Sequence, residues 1–222
     1  MMDIPVIAID GPSGSGKGTV SRAVARELGW HFLDSGAIYR CLALASEAEG
    51  VDPADIEGLV DCASRMQLEF SAEDPPSIFL NGLEVSLAVG RESTGNLASR
   101  IAGIGSVRQV LLDKQRSYRS PPGLVADGRD MGTVVFPDAR VKVFLTASAE
   151  VRAVRRRKQL KEKGIYVSLD DLTREIEERD RRDRERQQSP LVKAEGSLVI
   201  DSSDLSIDEV IHRVLDLAQS RF

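Results

Sequence analysis

Short apolar runs recur along the chain at Val6–Ile9, His31–Leu33, Leu124–Ala126, Val141–Leu145 and Leu198–Ile200, and the stretches between them carry helical periodicity. Continuous apolar runs suit strands buried on both faces, so the alternation predicts an α/β fold, a parallel sheet with helices on both faces. Ser168 with Asp171, and Ser206 with Glu209, read as capping-box pairs, which predicts helices over 169–186 and 207–220. The texture changes between about Val51 and Gly105. Gln67–Phe70, Ser77–Leu80 and Leu83–Ser86 are short alternating stretches, and Asn81-Gly82 between the last two is a hairpin turn signal. The expected organisation is therefore a core from 1–50 and 106–222, interrupted by a small antiparallel insertion at 51–105.

At 222 residues the chain can bury a proper core, with one domain or two. Its 30 basic and 35 acidic residues leave a net charge of −5, which offers no electrostatic case for nucleic acid as a partner. Cys41 and Cys62 have no metal-ligand spacing, and with only His31 and His212 beside them they read as reduced structural thiols. Asp3 and a brief apolar run before a glycine-rich loop form neither a signal peptide nor a membrane span, so a cytoplasmic protein is expected. No heptad or other assembly signature appears, and a monomer is expected.

The glycine-rich loop brings in chemistry. Gly11-Pro12-Ser13-Gly14-Ser15-Gly16-Lys17-Gly18-Thr19 follows a predicted strand and opens a predicted helix, the context of a phosphate-binding P-loop. Its glycines let backbone N–H groups face phosphate oxygens at the positive end of the helix, and Lys17 adds a full charge for the outer phosphates. Strict P-loops place Ser or Thr directly after the lysine. Here Gly18 intervenes and the hydroxyl arrives at Thr19.

Three further constellations fall where an open α/β sheet binds ligands, or on helices beside it. Leu33-Asp34-Ser35-Gly36-Ala37-Ile38-Tyr39-Arg40 closes the second strand, and the Arg40 guanidinium there suits a second phosphate group. Tyr39 is either a stacking ring for a base or sugar, or a core aromatic. Leu124–Thr133 ends a strand at Asp127, where an acid can act on Mg²⁺ or its waters, with Arg129 as a phosphate clamp. Glu178-Arg179-Asp180-Arg181-Arg182-Asp183-Arg184-Glu185-Arg186 puts Arg179, Asp183 and Arg186 on one helical face. That face is either a solvated salt-bridge ladder or a set of cations for a phosphoryl transition state. Upstream, Arg152, Arg155, Arg156, Arg157 and Lys158 crowd a helix ending near Gly164. They predict a short, mobile basic lid over about 152–168, with Arg155 or Arg156 stacked on adenine.

With the loop, Leu33–Arg40, Ala126–Ala139 and the Glu-Arg-Asp-x-Arg-Asp-x-x-Arg row present in order, the whole chain resembles the bacterial cytidylate kinase family of nucleoside monophosphate kinases. The resemblance implies that Gly11–Thr19 hold ATP, and that Ser35, Arg40 and Arg129 contact the acceptor phosphate. It implies that Ser99, Arg108 and Asp130 read cytosine, with Arg179 and Asp183 near the sugar and Arg186 near the phosphates. The 51–105 insertion becomes the monophosphate-binding domain, Mg²⁺ arrives with ATP with no direct protein ligand, and CMP or dCMP is the acceptor. The alternatives are a kinase for UMP, AMP, dTMP or shikimate, a nucleotide-dependent switch, and a nucleic-acid module. No Asn-Lys-x-Asp guanine-reading segment supports the switch, and no aromatic within the 178–186 run supports the module.

Overall fold

The computed structural model describes residues 4–70, 77–162 and 164–222. Asp3, residues 71–76 of the predicted insertion and Lys163 of the predicted lid lie outside this set. In chain order the elements are β1 (Val6–Asp10), α1 (Lys17–Leu28), β2 (His31–Asp34), α2 (Ser35–Glu49), α3 (Ile56–Arg65), β3 (Leu68–Phe70), β4 (Ile78–Leu80), β5 (Leu83–Glu84), α4 (Ser86–Val89), α5 (Glu92–Ile101) and α6 (Gly105–Arg116). They continue with β6 (Leu124–Gly128), a π-helical turn (Met131–Val135), β7 (Val141–Thr146), α7 (Ala149–Glu162), α8 (Leu169–Glu185), β8 (Leu198–Asp201) and α9 (Ile207–Gln219).

These elements gather into two compact units, one made of the chain up to Asp34 with Arg116–Phe222, the other of Ser35–Gln115. The first unit holds a five-stranded sheet in the order β2-β6-β1-β7-β8 with every pairing parallel. All five apolar runs read from the sequence are its strands. β1 and β6 are buried from end to end, which is why their sequences run continuously apolar instead of alternating. Ile7, Ile9, Val125, Val143 and Leu145 of the sheet share one core with Val20 and Val24 of α1 and Val210 and Val214 of α9. The chain passes from β1 to β2 on one side of β1 and later reaches β7 on the other, so β1 ends at a switch point, the usual place for a ligand crevice.

The second unit contains the predicted 51–105 segment and adds α2 and most of α6 to it. Its antiparallel part is a small sheet in the order β3-β4-β5. Asn81 (φ 50°) and Gly82 (φ 80°) make the left-handed pair that a tight hairpin requires. The other elements described in this unit are helices, with α2 packed on α3, α4 and α5.

Helix ends follow the local chemistry. The Ser206 cap is reciprocal, Glu209 N–H donating to Ser206 Oγ and Ser206 N–H to Glu209 Oε2. The Ser168 cap is half of a box, since Asp171 N–H donates to Ser168 Oγ while the shorter Asp171 carboxylate pairs with Arg174 instead of reaching back.

Two contacts fix the chain at the carboxyl end of β1. Gly11 (φ 152°) passes so close to β7 that a Cβ there would lie 1.9 Å from the Leu145 carbonyl oxygen. Asp10, 3% exposed, accepts from the Met131 and Gly132 N–H groups, each at 2.8 Å, and so ties β1 to the π-helical turn. Burial pushes the Asp10 carboxyl from 3.8 up to about 6 against the pull of these two bonds, with Asp130 adding to the rise.

Two predictions follow from these contacts. Gly11→Ala should destabilise by about 3 kcal/mol or more, because overpacking adds to a backbone conformation confined to glycine, whereas Gly16→Ala, left-handed but in open space, should cost about 1–2 kcal/mol. Urea unfolding of the two variants makes the comparison, and equal losses would refute the close-approach argument. The stability that Asp10 contributes through its raised pKa is full below 3.8 and is lost as pH rises through about 6. Carboxyl ¹³C shifts should place its midpoint near 6, and a midpoint at or below the ordinary value would show that the N–H bonds outweigh burial.

Candidate active site

The loop between β1 and α1 has the backbone that its glycines predict. Gly11, Gly14 and Gly16 all have positive φ (152°, 78° and 96°), and Gly16 stands at the N-cap of α1 with no side-chain cap, so the first N–H groups of the helix remain for a ligand. Ser15 Oγ is buried without a hydrogen bond among the described residues. A buried hydroxyl left in this way, at the mouth of a helix dipole, fits an anion.

Lys17, the first residue of α1, is 5% exposed; its ammonium donates to the Pro12 carbonyl at 2.8 Å and lies 3.9 Å from Asp127 Oδ1. Burial and the neighbouring Arg129 push its pKa down, against the pull of Asp127, Asp10 and Asp34. Burial likewise pushes Asp127 up, against Lys17. Each group holds the other's charge in a site that would otherwise neutralise it. Gly18 explains the departure from the strict P-loop pattern, because a Cβ there would lie 3.3 Å from Asp127 Oδ2. The carboxylate occupies the space toward which a side chain at this position would point. Thr19, next along, is exposed.

Arg129 leaves the end of β6 and donates from Nε to Asp183 Oδ2 at 2.8 Å, which joins it to α8. Burial opposes both charges, yet their pairing holds Arg129 above its ordinary pKa and Asp183 below its own, with Arg179 and Arg186 adding to the pull on Asp183. Arg179 and Arg186, the latter at the C-cap just past the end of α8, thus both lie close enough to act on Asp183. Asp183 is 4% exposed and the two arginines are half-buried, unlike members of a solvated ladder. Arg186 Nε also donates to the Ser189 carbonyl at 2.5 Å. Asp130, 3% exposed, precedes the π-helical turn.

The basic cluster on α7 departs from a mobile lid at two positions. Arg152, 3% exposed, makes a two-pronged ion pair with Asp180 of α8 (3.0 and 2.5 Å) and donates to the Ser13 carbonyl of the P-loop at 3.1 Å. Arg155 donates to Ser202 Oγ (3.1 Å) and to the Ser202 carbonyl (2.6 Å), and that hydroxyl in turn donates to the Ser15 carbonyl at 3.1 Å. Both arginines are thereby tethered toward the loop. Arg156 is half-buried, and Arg157 and Lys158 are exposed.

In the second unit, α2 carries Ser35, Tyr39 and Arg40. Ser35 is buried and donates to Gln115 Oε1 at 2.7 Å, while Gln115 Nε2 donates to the Leu111 carbonyl at 3.2 Å. Tyr39 is 6% exposed with the Arg108 guanidinium 5.6 Å from its ring centroid, so that this ring is a seat for Arg108 within the core. Arg108 also donates to the Ala102 carbonyl at 3.1 Å. Arg40 donates to the Val89 and Arg91 carbonyls at 2.7 and 3.1 Å, lying over Gly95, where a Cβ would meet its Nη2 at 2.6 Å. Ser99 is half-buried on α5, which packs on α2.

Asp10, Gln115, the Arg152–Asp180 pair and Ser202 escaped the sequence reading. A signal existed for Asp180, which stands three residues before Asp183 and so on the same face. Among the described residues, no group of three His, Cys, Asp or Glu side chains could hold a metal ion, and no helix is long and apolar enough to cross a membrane. Cys41 and Cys62 are buried thiols in no disulfide, and burial, with Glu49, pushes the Cys62 thiol up to about 11.

Comparison with known proteins identifies the family. The family model described as cytidylate kinase matches residues 7–220. Cytidylate kinases from Methylococcus capsulatus, Cupriavidus necator and Vibrio vulnificus are 62%, 53% and 51% identical to the chain, over 98%, 97% and 98% of it and 98%, 96% and 96% of their own lengths. A solved gluconokinase from Sinorhizobium meliloti is 18% identical, with a TM-score of 0.49 over 98% of this chain and 93% of its own. The chain belongs to the cytidylate kinase family.

Proposed function

We propose that the protein transfers the γ-phosphoryl group of ATP to CMP or dCMP, giving ADP and CDP or dCDP. The observation that carries this reading is the full-length match to the cytidylate kinases, with a buried lysine seated in a P-loop where that chemistry needs it. Ser15 Oγ and the N–H groups at the start of α1 receive the donor phosphates, and Lys17 swings from Pro12 and Asp127 to the outer ones. Mg²⁺ arriving with ATP would supply charge neutralisation between the phosphates, and Asp127, whose carboxylate lies beside Gly18, would hold its water shell. Ser35 and Arg40 bind the acceptor phosphate. Arg129 and the α8 arginines meet the charge that spreads over the transferring group.

No group here is required as a general base. Phosphoryl transfer passes through a loose transition state, and positioning with fixed cations supplies most of the acceleration. The α8 face favours that role over a surface ladder, because its carboxylates are buried and engage arginines at the ends of other segments.

Lys17→Ala should lower turnover on the order of 10²-fold or more with the fold intact, as expected when one charge is withdrawn from the transition state. A folded variant with near-normal kcat in a coupled ADP assay would rule out the assigned role. The second prediction concerns the base. Cytosine offers an amino donor where uracil offers a carbonyl, so the Asp130 carboxylate accepts from the first and repels the second, while Arg108 donates to ring acceptors and Ser99 serves either side. CMP and dCMP should therefore be used far better than UMP, and Asp130→Asn should narrow the CMP-to-UMP ratio in kcat/KM more than it weakens ATP binding. Equal use of CMP and UMP by the unmodified protein would remove the base-reading assignment.

A further inference from the structure

The Arg152 guanidinium engages three separate segments at once. Its Nε donates to the Ala147 carbonyl at 2.9 Å in the connection after β7, its Nη1 to the Ser13 carbonyl at 3.1 Å in the P-loop, and its Nη1 and Nη2 grip the two Asp180 oxygens on α8. Both side chains are nearly inaccessible, at 4% and 6% exposure. The stem of the arginine also lies under the loop, since a Cβ on Gly14 would come 3.3 Å from Arg152 Cβ. One turn further along α8, Asp183 makes the corresponding pair with Arg129 from the end of β6. α8 is thus stapled at two successive buried carboxylates, once to the loop that would hold the donor and once to the strand end that would clamp the transferring group.

We infer that Arg152 and Asp180 are positioning residues for phosphoryl transfer, which hold the P-loop backbone and the Arg179/Arg186 face of α8 in one fixed mutual geometry. A pair needed only for stability could be exchanged for apolar side chains of similar volume, because a buried ion pair loses so much solvation that such swaps are often neutral or stabilising. An arginine that also fixes a loop carbonyl cannot be exchanged in this way, and neither can its planar fork be replaced by the single point charge of lysine. Displacements near 1 Å at a reacting centre cost on the order of 10²-fold in rate.

The inference rests on the phosphoryl-transfer reading for its kcat arm, whereas its ATP-binding arm does not depend on the acceptor. The test compares Asp180→Asn, Arg152→Lys and the double replacement Arg152→Met/Asp180→Leu, each kept well below its melting temperature and checked by circular dichroism. The expected result is a kcat lowered by about 10- to 100-fold and an ATP dissociation constant raised several-fold in every folded variant, including a double replacement that regains the melting temperature. Recovery of kcat and ATP affinity together with melting temperature in the double replacement would overturn the inference. If the double replacement does not fold, unchanged kcat and ATP affinity in the folded single variants would overturn it equally. An unmodified protein that binds ATP but phosphorylates no CMP would defeat the transfer reading alone and leave the ATP-binding comparison to decide this one.

Discussion

A charge removed from water must find an opposite charge or a full set of hydrogen bonds, and the carboxyl edge of the five-stranded sheet is organised by that requirement. Lys17 faces Asp127, Arg129 faces Asp183, Arg152 faces Asp180, and Asp10 takes two backbone N–H groups. These pairings join the P-loop, the end of β6 with the turn after it, the start of α7 and the C-terminal part of α8. The local order of the site follows from the sum of these obligations, since moving any one segment would strand a buried charge belonging to another.

The same requirement explains what the sequence could and could not reveal. The strands were legible because β1 and β6 are buried on both faces and therefore run apolar without interruption, a one-dimensional signal. The β4–β5 hairpin was legible because only a few residue pairs tolerate two successive left-handed conformations. Arg152 was misleading, since in sequence it is one cation among five neighbours, and nothing local says that it alone turns inward toward Asp180, 28 residues away. Gln115 and Asp10 were missed for a related reason, their partners lying 80 and more than 120 residues distant. Side chains whose meaning is a long-range partner leave no mark on local pattern.

The candidate site was legible to a different degree in its two halves. In the P-loop each glycine answers a backbone condition that can be stated in advance, and Gly18 acquires its explanation once Asp127 is placed beside it. On α8 the helical spacing correctly grouped Arg179, Asp183 and Arg186, but spacing alone could not separate a reactive face from a surface ladder. Burial of Asp180 and Asp183 sets the face apart from a fully solvated ladder. Tyr39 went the other way, its ring being committed to Arg108 within the core.

The Ser35–Gln115 contact has a thermodynamic corollary. Because Gln115 Nε2 is engaged by the Leu111 carbonyl, its amide oxygen faces Ser35, and the single hydroxyl proton of that serine is already given inward. An anion that takes a hydrogen bond from Ser35 must first rotate that proton away from Gln115, leaving a buried amide oxygen to be satisfied by something else. Recognition at this hydroxyl is then an exchange of partners, and its net free energy is a difference between two bonds of similar strength. Such a contact would discriminate by geometry more than by raw affinity.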